Sequence, residues 1–243
     1  MELQQERLEL KIFDGTVPTY VVRPRDLKPR PGLVLAMEAF GLTPWLEAQA
    51  QRLAEDGFVV AVPDLRHRRD KRVFADVEEE AAQQDALSLL EGGIVTDMAA
   101  ALDYLKQPLV SRGRGLAIVG FGYGGRVALQ TACHHIELRL AVAWCPIQVV
   151  ETSRDPRGMR PIDRVPWIRA RVLAFYGGDD ERVPESERSG LAEILRKNRK
   201  PHDIVVYPGA GHAFYASGRP AYVEAAAKDA WRRMLELLHS ELH

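Results

Sequence analysis

Residues 115–129 read GLAIVGFGYGGRVAL, and no other segment says more about the architecture of this chain. The apolar segment from Leu116 to Val119 predicts a buried strand, glycines follow at positions 120, 122, 124 and 125, and a helix-forming run begins near Arg126. A sharp strand-to-helix turn with the pattern G-x-S-x-G is a nucleophile elbow. The middle position here is Gly122, so the elbow lacks the side chain that would attack a substrate.

The rest of the chain alternates continuous apolar runs with segments of helical periodicity. We predict an N-terminal antiparallel hairpin from LELKIF (8–13), Asp14-Gly15 and TVPTYVVRP (16–24). Further buried strands are predicted at 32–37, 58–65, 140–145, 171–177 and 202–207, and helices at 44–56, 76–90, 95–106, 186–199 and 220–239. This alternation predicts the α/β class, with a mostly parallel sheet, helices on both faces and one domain over residues 1–243.

The composition excludes several classes of protein. The 243 residues carry a formal net charge of −1, which gives no domain-scale basic field for nucleic acid. No apolar run approaches the ~20 residues that span a bilayer, and the charged N-terminus lacks a signal core. We therefore expect a soluble, cytoplasmic protein that binds neither nucleic acid nor membrane. Its two cysteines, Cys133 and Cys145, are expected to be reduced, with Cys145 a small core residue.

Two further motifs follow late strands, where the other members of a hydrolase triad belong. On this fold the chain order is nucleophile, acid, histidine. Asp179 and Asp180 follow the strand at 171–177, and His212 follows the strand at 202–207 in a glycine-rich turn. His212 would act as general base, and one of the two aspartates, with Asp180 favoured, would fix its tautomer and stabilise the imidazolium.

Together these motifs resemble the dienelactone hydrolase family of the α/β-hydrolase superfamily, over about residues 8–238. The segments that carry the resemblance are MEAFGLTPW (37–45), VAVPDL (60–65), DMAAALDYL (97–105), GFGYGG (120–125), YGGDDERVP (176–184) and YPGAGHAFY (207–215). The resemblance implies the α/β-hydrolase fold and a hydrolase of small esters and lactones, with a Cys or Ser at the elbow.

The resemblance also assigns residues. It places the acid at Asp180 rather than Asp179, and it matches Glu38 to a glutamate that contacts the resting cysteine. It implies an oxyanion hole formed by the backbone N–H groups of Tyr123 and Ala39. We expect no cofactor and no metal, a small-molecule ester or lactone as the partner, and a monomer or homodimer.

The chain departs from the family pattern at two positions. Gly122 replaces the nucleophile, and Ala216 stands where members that hydrolyse dienelactone carry an arginine, which disfavours that substrate. Three interpretations of Gly122 remain open. The chain is an engineered knockout of a hydrolase, a non-catalytic protein of the same fold that binds a small ligand or serves as a scaffold, or an enzyme of reduced activity in which His212 activates water directly.

Two polar segments are candidates for loops over a site, because sites in open α/β sheets form beyond the carboxyl ends of the strands. They cover residues 66–92 and 146–169. The first begins with the basic run RHRRDKR (66–72), which we interpret as a solvated loop. Attraction of an anionic substrate is the alternative interpretation of this run.

Overall fold

The structure, a computed structural model, describes residues 2–26, 28–111, 115–150 and 160–243. Its strands are β1 (Leu3–Ile12), β2 (Gly15–Pro24), β3 (Gly32–Ala36), β4 (Val59–Pro63), β5 (Leu116–Phe121), β6 (Leu138–Trp144), β7 (Arg171–Gly177) and β8 (His202–Tyr207). Its α-helices are α1 (Pro44–Glu55), α2 (Glu79–Leu87), α3 (Glu91–Lys106), α4 (Tyr123–Ala132), α5 (Glu185–Lys197) and α6 (Glu224–Leu242). Short 3₁₀ helices cover Asp76–Glu78 and Pro161–Trp167.

The eight strands form one open mixed sheet in the order β1-β2-β4-β3-β5-β6-β7-β8. The hairpin strands β1 and β2 pair antiparallel, with Ile12 opposite Gly15, and β2 pairs antiparallel with β4. The pairs β3–β4, β6–β7 and β7–β8 are parallel. The predicted fold class, a mostly parallel sheet with an antiparallel hairpin at one edge, is confirmed. Among the described helices, none has the length and apolar character that crossing a bilayer requires.

The chain forms two compact units, Met1–Val119 with Leu242–His243, and Gly120–Glu241. In the first unit, all five residues of β3 and of β4 are buried, as expected for central strands of a mostly parallel sheet. Helix α1 begins after Thr43, whose side chain accepts a 3.3 Å hydrogen bond from the Leu46 N–H and caps the helix. The expectation of one domain over residues 1–243 stays a prediction.

Some predicted boundaries in the first unit were wrong. Helix α3 begins at Glu91 and contains Gly92 and Gly93, which the sequence interpretation placed before the helix. A Cβ on Gly93 would lie 3.3 Å from an Arg68 nitrogen, so the glycine lets a guanidinium approach the helix. The edge strand β1 begins at Leu3, five residues before its predicted start at Leu8. The prediction missed this part because residues 4–7 are all polar and show no apolar alternation.

The second unit holds the elbow and both post-strand motifs. Trp144, at the end of β6, is 1% exposed and lies at the centre of an aromatic cluster. Its ring centroid lies 5.4 Å from that of Phe121, 4.6 Å from that of Phe175 and 6.2 Å from that of Phe214. These rings join the carboxyl ends of β5, β6 and β7 to the turn after β8. Of the predicted loop 146–169, residues 151–159 lie outside the described residues.

Candidate active site

The elbow is a one-residue connection between β5 and α4. Gly122 has φ 54° and ψ −115°, a conformation that strains any residue with a side chain. Its N–H donates a 2.7 Å hydrogen bond to the Trp144 carbonyl, which ties the turn to β6. A Cβ on Gly120 would overlap the carbonyl of Gly124, so this glycine is required where strand and helix backbones approach each other.

The space beside Gly122 accepts a side chain. A Cβ built there would lie 3.5 Å from the Tyr215 hydroxyl oxygen and 4.0 Å from Nε2 of His212, which are the nearest atoms outside its chain neighbours. Both distances are ordinary van der Waals contacts. A side chain at position 122 is therefore opposed by backbone strain and not by steric overlap with these neighbours.

His212 forms a dyad with Asp180. Its Nδ1 lies 2.8 Å from Oδ2 of Asp180, and the two side chains are 13% and 0% exposed. The other oxygen of Asp180, Oδ1, accepts hydrogen bonds from the N–H groups of Arg182 at 2.9 Å and Val183 at 3.2 Å. A carboxylate held in this way fixes the imidazole proton on Nδ1 and leaves the Nε2 lone pair facing Gly122.

The turns that carry the dyad are tied together by their backbones. The Asp179 N–H donates to the Ala210 carbonyl at 2.9 Å, and the Gly178 N–H donates to the Tyr207 carbonyl at 2.8 Å. A Cβ on Gly177 would overlap the carbonyl oxygens of Ala210 and Gly211, so glycine is needed at this approach. Asp179 itself is exposed, and the structure thus pairs His212 with Asp180.

Cys145 lies against this dyad, a contact that the sequence analysis missed. Its thiol, a carboxylate oxygen of Asp180 and a ring nitrogen of His212 all lie within 4.8 Å of one another. Cys145 has a positive φ of 45° and is fully buried. Burial raises the pKa of the Cys145 thiol, and the negative charge of Asp180 raises it further. The only sequence signal was the position of Cys145 directly after a buried strand, at the carboxyl edge of the sheet.

These three side chains are of types that bind metal ions, but the burial of the Cys145 thiol and the contact between His212 and Asp180 both oppose metal binding. A metal ligand must be deprotonated, whereas the pKa of the Cys145 thiol is raised. Nδ1 of His212 is engaged by the Asp180 carboxylate. The arrangement therefore suits proton transfer better than metal coordination, and the expectation of no metal and no cofactor stays a prediction.

Tyr215 is a second residue that sequence reasoning did not select. It follows His212 by three positions in HAFY, and its hydroxyl faces the place of the elbow side chain. Ala216, the residue that replaces an arginine of the family, is 1% exposed.

The two predicted oxyanion donors, Tyr123 and Ala39, lie far apart in the sequence, and Glu38 directly precedes Ala39. Tyr123 is the first residue of α4, and the first N–H groups of an α-helix point out of its N-terminal end. Glu38 and Ala39 follow β3 in the first unit and are 4% and 1% exposed. The roles of Tyr123, Ala39 and Glu38 in an oxyanion hole and beside the nucleophile stay predictions.

The interpretation of residues 66–72 as a solvated loop was wrong for Arg66. This side chain is fully buried and donates hydrogen bonds to the carbonyls of Ala39 and Ala82. It also forms an ion pair with Asp85 and lies over the ring of Phe74, 4.6 Å from the centroid. Two carbonyls and a carboxylate offset the cost of burying the guanidinium and fix the backbone just after β3.

Arg68, in the same run, binds two carboxylates of the first unit. It donates hydrogen bonds to Asp14 at 3.0 and 3.1 Å and to Asp97 at 2.9 and 3.1 Å. These acids neutralise the charge of Arg68, and attraction of an anionic substrate by the run as a whole stays a prediction.

Comparisons with known proteins identify related sequences over most of this chain. The sequence pattern of the "Dienelactone hydrolase family" matches residues 17–242. A relative from Salmonella typhimurium, named "Putative carboxymethylenebutenolidase", is 36% identical over 90% of this chain and 81% of its own length. "Carboxymethylenebutenolidase 1" of Cupriavidus pinatubonensis is 31% identical over 86% of this chain and 85% of its own.

A solved structure is similar over almost its whole length. The "Putative Dienelactone Hydrolase" from Klebsiella pneumoniae superposes with a TM-score of 0.87 at 28% identity and covers 97% of this chain and 98% of its own. The family match and these relatives extend across nearly the whole sequence. The chain belongs to the dienelactone hydrolase family.

Proposed function

We propose that the protein hydrolyses small carboxylic esters or lactones, with the Asp180–His212 dyad activating a water molecule beside Gly122. The observation that carries the proposal is the placement of His212. Its Nδ1 is bonded to Asp180, and its Nε2 lies 4.0 Å from where the Cβ of an elbow nucleophile would be. A nitrogen lone pair in this place reaches a water molecule that occupies the position of the nucleophile.

The proposed reaction needs only groups that the second unit supplies. Water gives a proton to Nε2 of His212 while its oxygen bonds to the substrate carbonyl carbon, and Asp180 stabilises the imidazolium. We assign the stabilisation of the developing oxyanion to the backbone N–H of Tyr123 at the start of α4, as the family resemblance implies. The oxyanion then re-forms the carbonyl while the bond from its carbon to the leaving oxygen breaks, and the imidazolium gives its proton to that oxygen. The products are a carboxylic acid and an alcohol, or a hydroxy acid from a lactone.

The dyad argues against the alternative of a non-catalytic binding or scaffold protein. Binding of a neutral ligand does not require a buried carboxylate that orients a histidine toward the elbow. Hydrolysis requires this arrangement, because a general base must present its lone pair to the attacking group. Dienelactone itself is disfavoured as substrate, since Ala216 cannot hold a carboxylate.

Hydrolysis of phenyl acetate by the purified protein and by His212→Ala tests the proposal. We expect slow turnover that falls by about 100-fold or more in His212→Ala, the range typical of a lost general base. His239→Ala, which removes an exposed histidine of α6, is the matched control for non-specific imidazole catalysis and should leave the rate unchanged. A rate that does not respond to His212→Ala contradicts the proposal.

A further inference from the structure

The hydroxyl of Tyr215 and Nε2 of His212 face the same small space beside Gly122. They lie 3.5 Å and 4.0 Å from the place that the first side-chain atom of an elbow nucleophile would occupy. Hydrogen bonds to water are about 2.7–3.0 Å long, and these two atoms are the nearest to this place outside the chain neighbours of Gly122, so they are the partners that we assign to a water molecule there. The chain thus presents two polar groups where the family has a reactive side chain.

Packing fixes the hydroxyl in this position. The centroid of the Tyr215 ring lies 5.0 Å from that of Phe121, 5.7 Å from that of Trp144 and 5.9 Å from that of Phe214. Phe121 directly precedes Gly122, and the Gly122 N–H is bonded to the Trp144 carbonyl. Two of the rings that pack against Tyr215 therefore belong to the residues that hold the elbow, which keeps the hydroxyl at a set distance from it.

We propose that Tyr215 is a catalytic residue, whose hydroxyl holds the attacking water together with His212. This inference rests on the proposed function and extends it. The water donates one hydrogen bond to Nε2 of His212 and one to the Tyr215 hydroxyl oxygen, so its lone pairs remain available. When the oxygen bonds to the ester carbonyl carbon, Nε2 takes one proton, and the hydroxyl keeps its hydrogen bond to the remaining O–H.

This arrangement explains how ester hydrolysis can proceed although Gly122 has no side chain to attack the substrate. Without a second partner, a water molecule on Nε2 can rotate, and its lone pairs have no set direction. Two partners fix the orientation of the water molecule. A covalent nucleophile is oriented in the same way by its bond to the backbone, and this orientation accounts for a large part of its advantage in rate. A side chain at position 122 would take the place of this water and remove the need for Tyr215.

The test compares Tyr215→Phe in two backgrounds, the unaltered protein and Gly122→Cys. Tyr215→Phe keeps the ring and its packing but removes the hydroxyl. In the unaltered protein we expect kcat for phenyl acetate to fall by about 10- to 100-fold with KM nearly unchanged, as for one lost hydrogen bond to a charged transition state. In the Gly122→Cys background we expect less than about a 2-fold change, because a thiol has replaced the water. Matching melting temperatures check that packing is preserved.

Results that differ from these expectations contradict either the role of Tyr215 or the proposed attack by water. If His212→Ala abolishes turnover and Tyr215→Phe does not lower it, the role of Tyr215 is wrong and the proposed function stands. An equal loss in both backgrounds also overturns this role, since it indicates an effect on substrate or folding. If only Gly122→Cys turns over, water attack is wrong for the unaltered chain, and with it the role of Tyr215.

Discussion

The thiol of Cys145 lies within 4.8 Å of the carboxylate of Asp180, and both groups are buried beside His212. A thiol and a histidine so close together suggest a displaced nucleophile, but the protonation state argues otherwise. Burial and the charge of Asp180 both raise the pKa of the Cys145 thiol, and the thiolate is the reactive form. Cys145 is therefore a neutral neighbour of the dyad and does not replace the elbow residue.

The first prediction concerns thiol reactivity. Cys133 is 4% exposed and Cys145 fully buried, so the folded protein should react with iodoacetamide far more slowly than the unfolded protein. Gly122→Cys should gain one fast-reacting thiol per chain, because Nε2 of His212 lies near the place of its Cβ. Mass spectrometry of the alkylated protein locates the label, and adding His212→Ala should slow the reaction. Fast labelling of Cys145 in the unaltered protein contradicts this account.

The second prediction compares Gly122→Cys with Gly122→Ala. Both variants place a Cβ at φ 54°, so both should lose about 1–3 kcal/mol in free energy of unfolding, measured in urea. Only the cysteine variant should show a burst of product from an acyl-enzyme on phenyl acetate. The alanine variant should be slower than the unaltered protein, because its methyl group enters the space proposed for water. A faster alanine variant indicates that water does not bind there.

Most strands could be predicted from the sequence because a strand buried on both faces requires a continuous run of apolar residues, and such runs are easily recognised. The apolar runs that became β3 to β7 are continuous, and a central strand of a parallel sheet is buried on both faces. The edge strand β8 was predicted as buried, but its residues are half-buried or exposed because no strand of the described sheet pairs with its outer side. The start of α3 failed because Gly92 and Gly93 are poor helix formers, yet Gly93 lies inside the helix where Arg68 approaches. A contact from a distant loop outweighed the local preference.

In the candidate site, too, local sequence signals predicted some contacts, whereas contacts between residues far apart in the sequence were missed. The contact between His212 and Asp180 could be expected because chain order and turn motifs are local signals, and the structure places their side chains 2.8 Å apart. Tyr215, Cys145 and Arg66 were missed, because their significance depends on neighbours far away in sequence. Arg66 looked like part of a solvated charge run, and only the fold shows the carbonyls that receive its hydrogen bonds.

The third prediction separates the two adjacent aspartates. Asp180→Asn replaces an acceptor of the His212 Nδ1–H with a group that can donate, which favours the wrong tautomer. We expect His212-dependent hydrolysis of phenyl acetate to fall by on the order of 100-fold or more. Asp179→Asn alters an exposed neighbour in the same turn and should change the rate by less than about 2-fold. Equal losses in the two variants would show that charge in the turn matters, and not the hydrogen bond to His212.

The last prediction concerns the buried guanidinium of the first unit. Arg66→Ala should lower the free energy of unfolding by about 3–5 kcal/mol, because it leaves the carbonyls of Ala39 and Ala82 without their donor and breaks the ion pair with Asp85. The matched control is Arg69→Ala, which removes a guanidinium with 38% side-chain exposure and a hydrogen bond to Ser88, and should cost under about 1 kcal/mol. Urea denaturation followed by tryptophan fluorescence measures both values. If the two variants are equally stable, Arg66 does not hold the segment after β3, and the run at 66–72 contributes only surface charge.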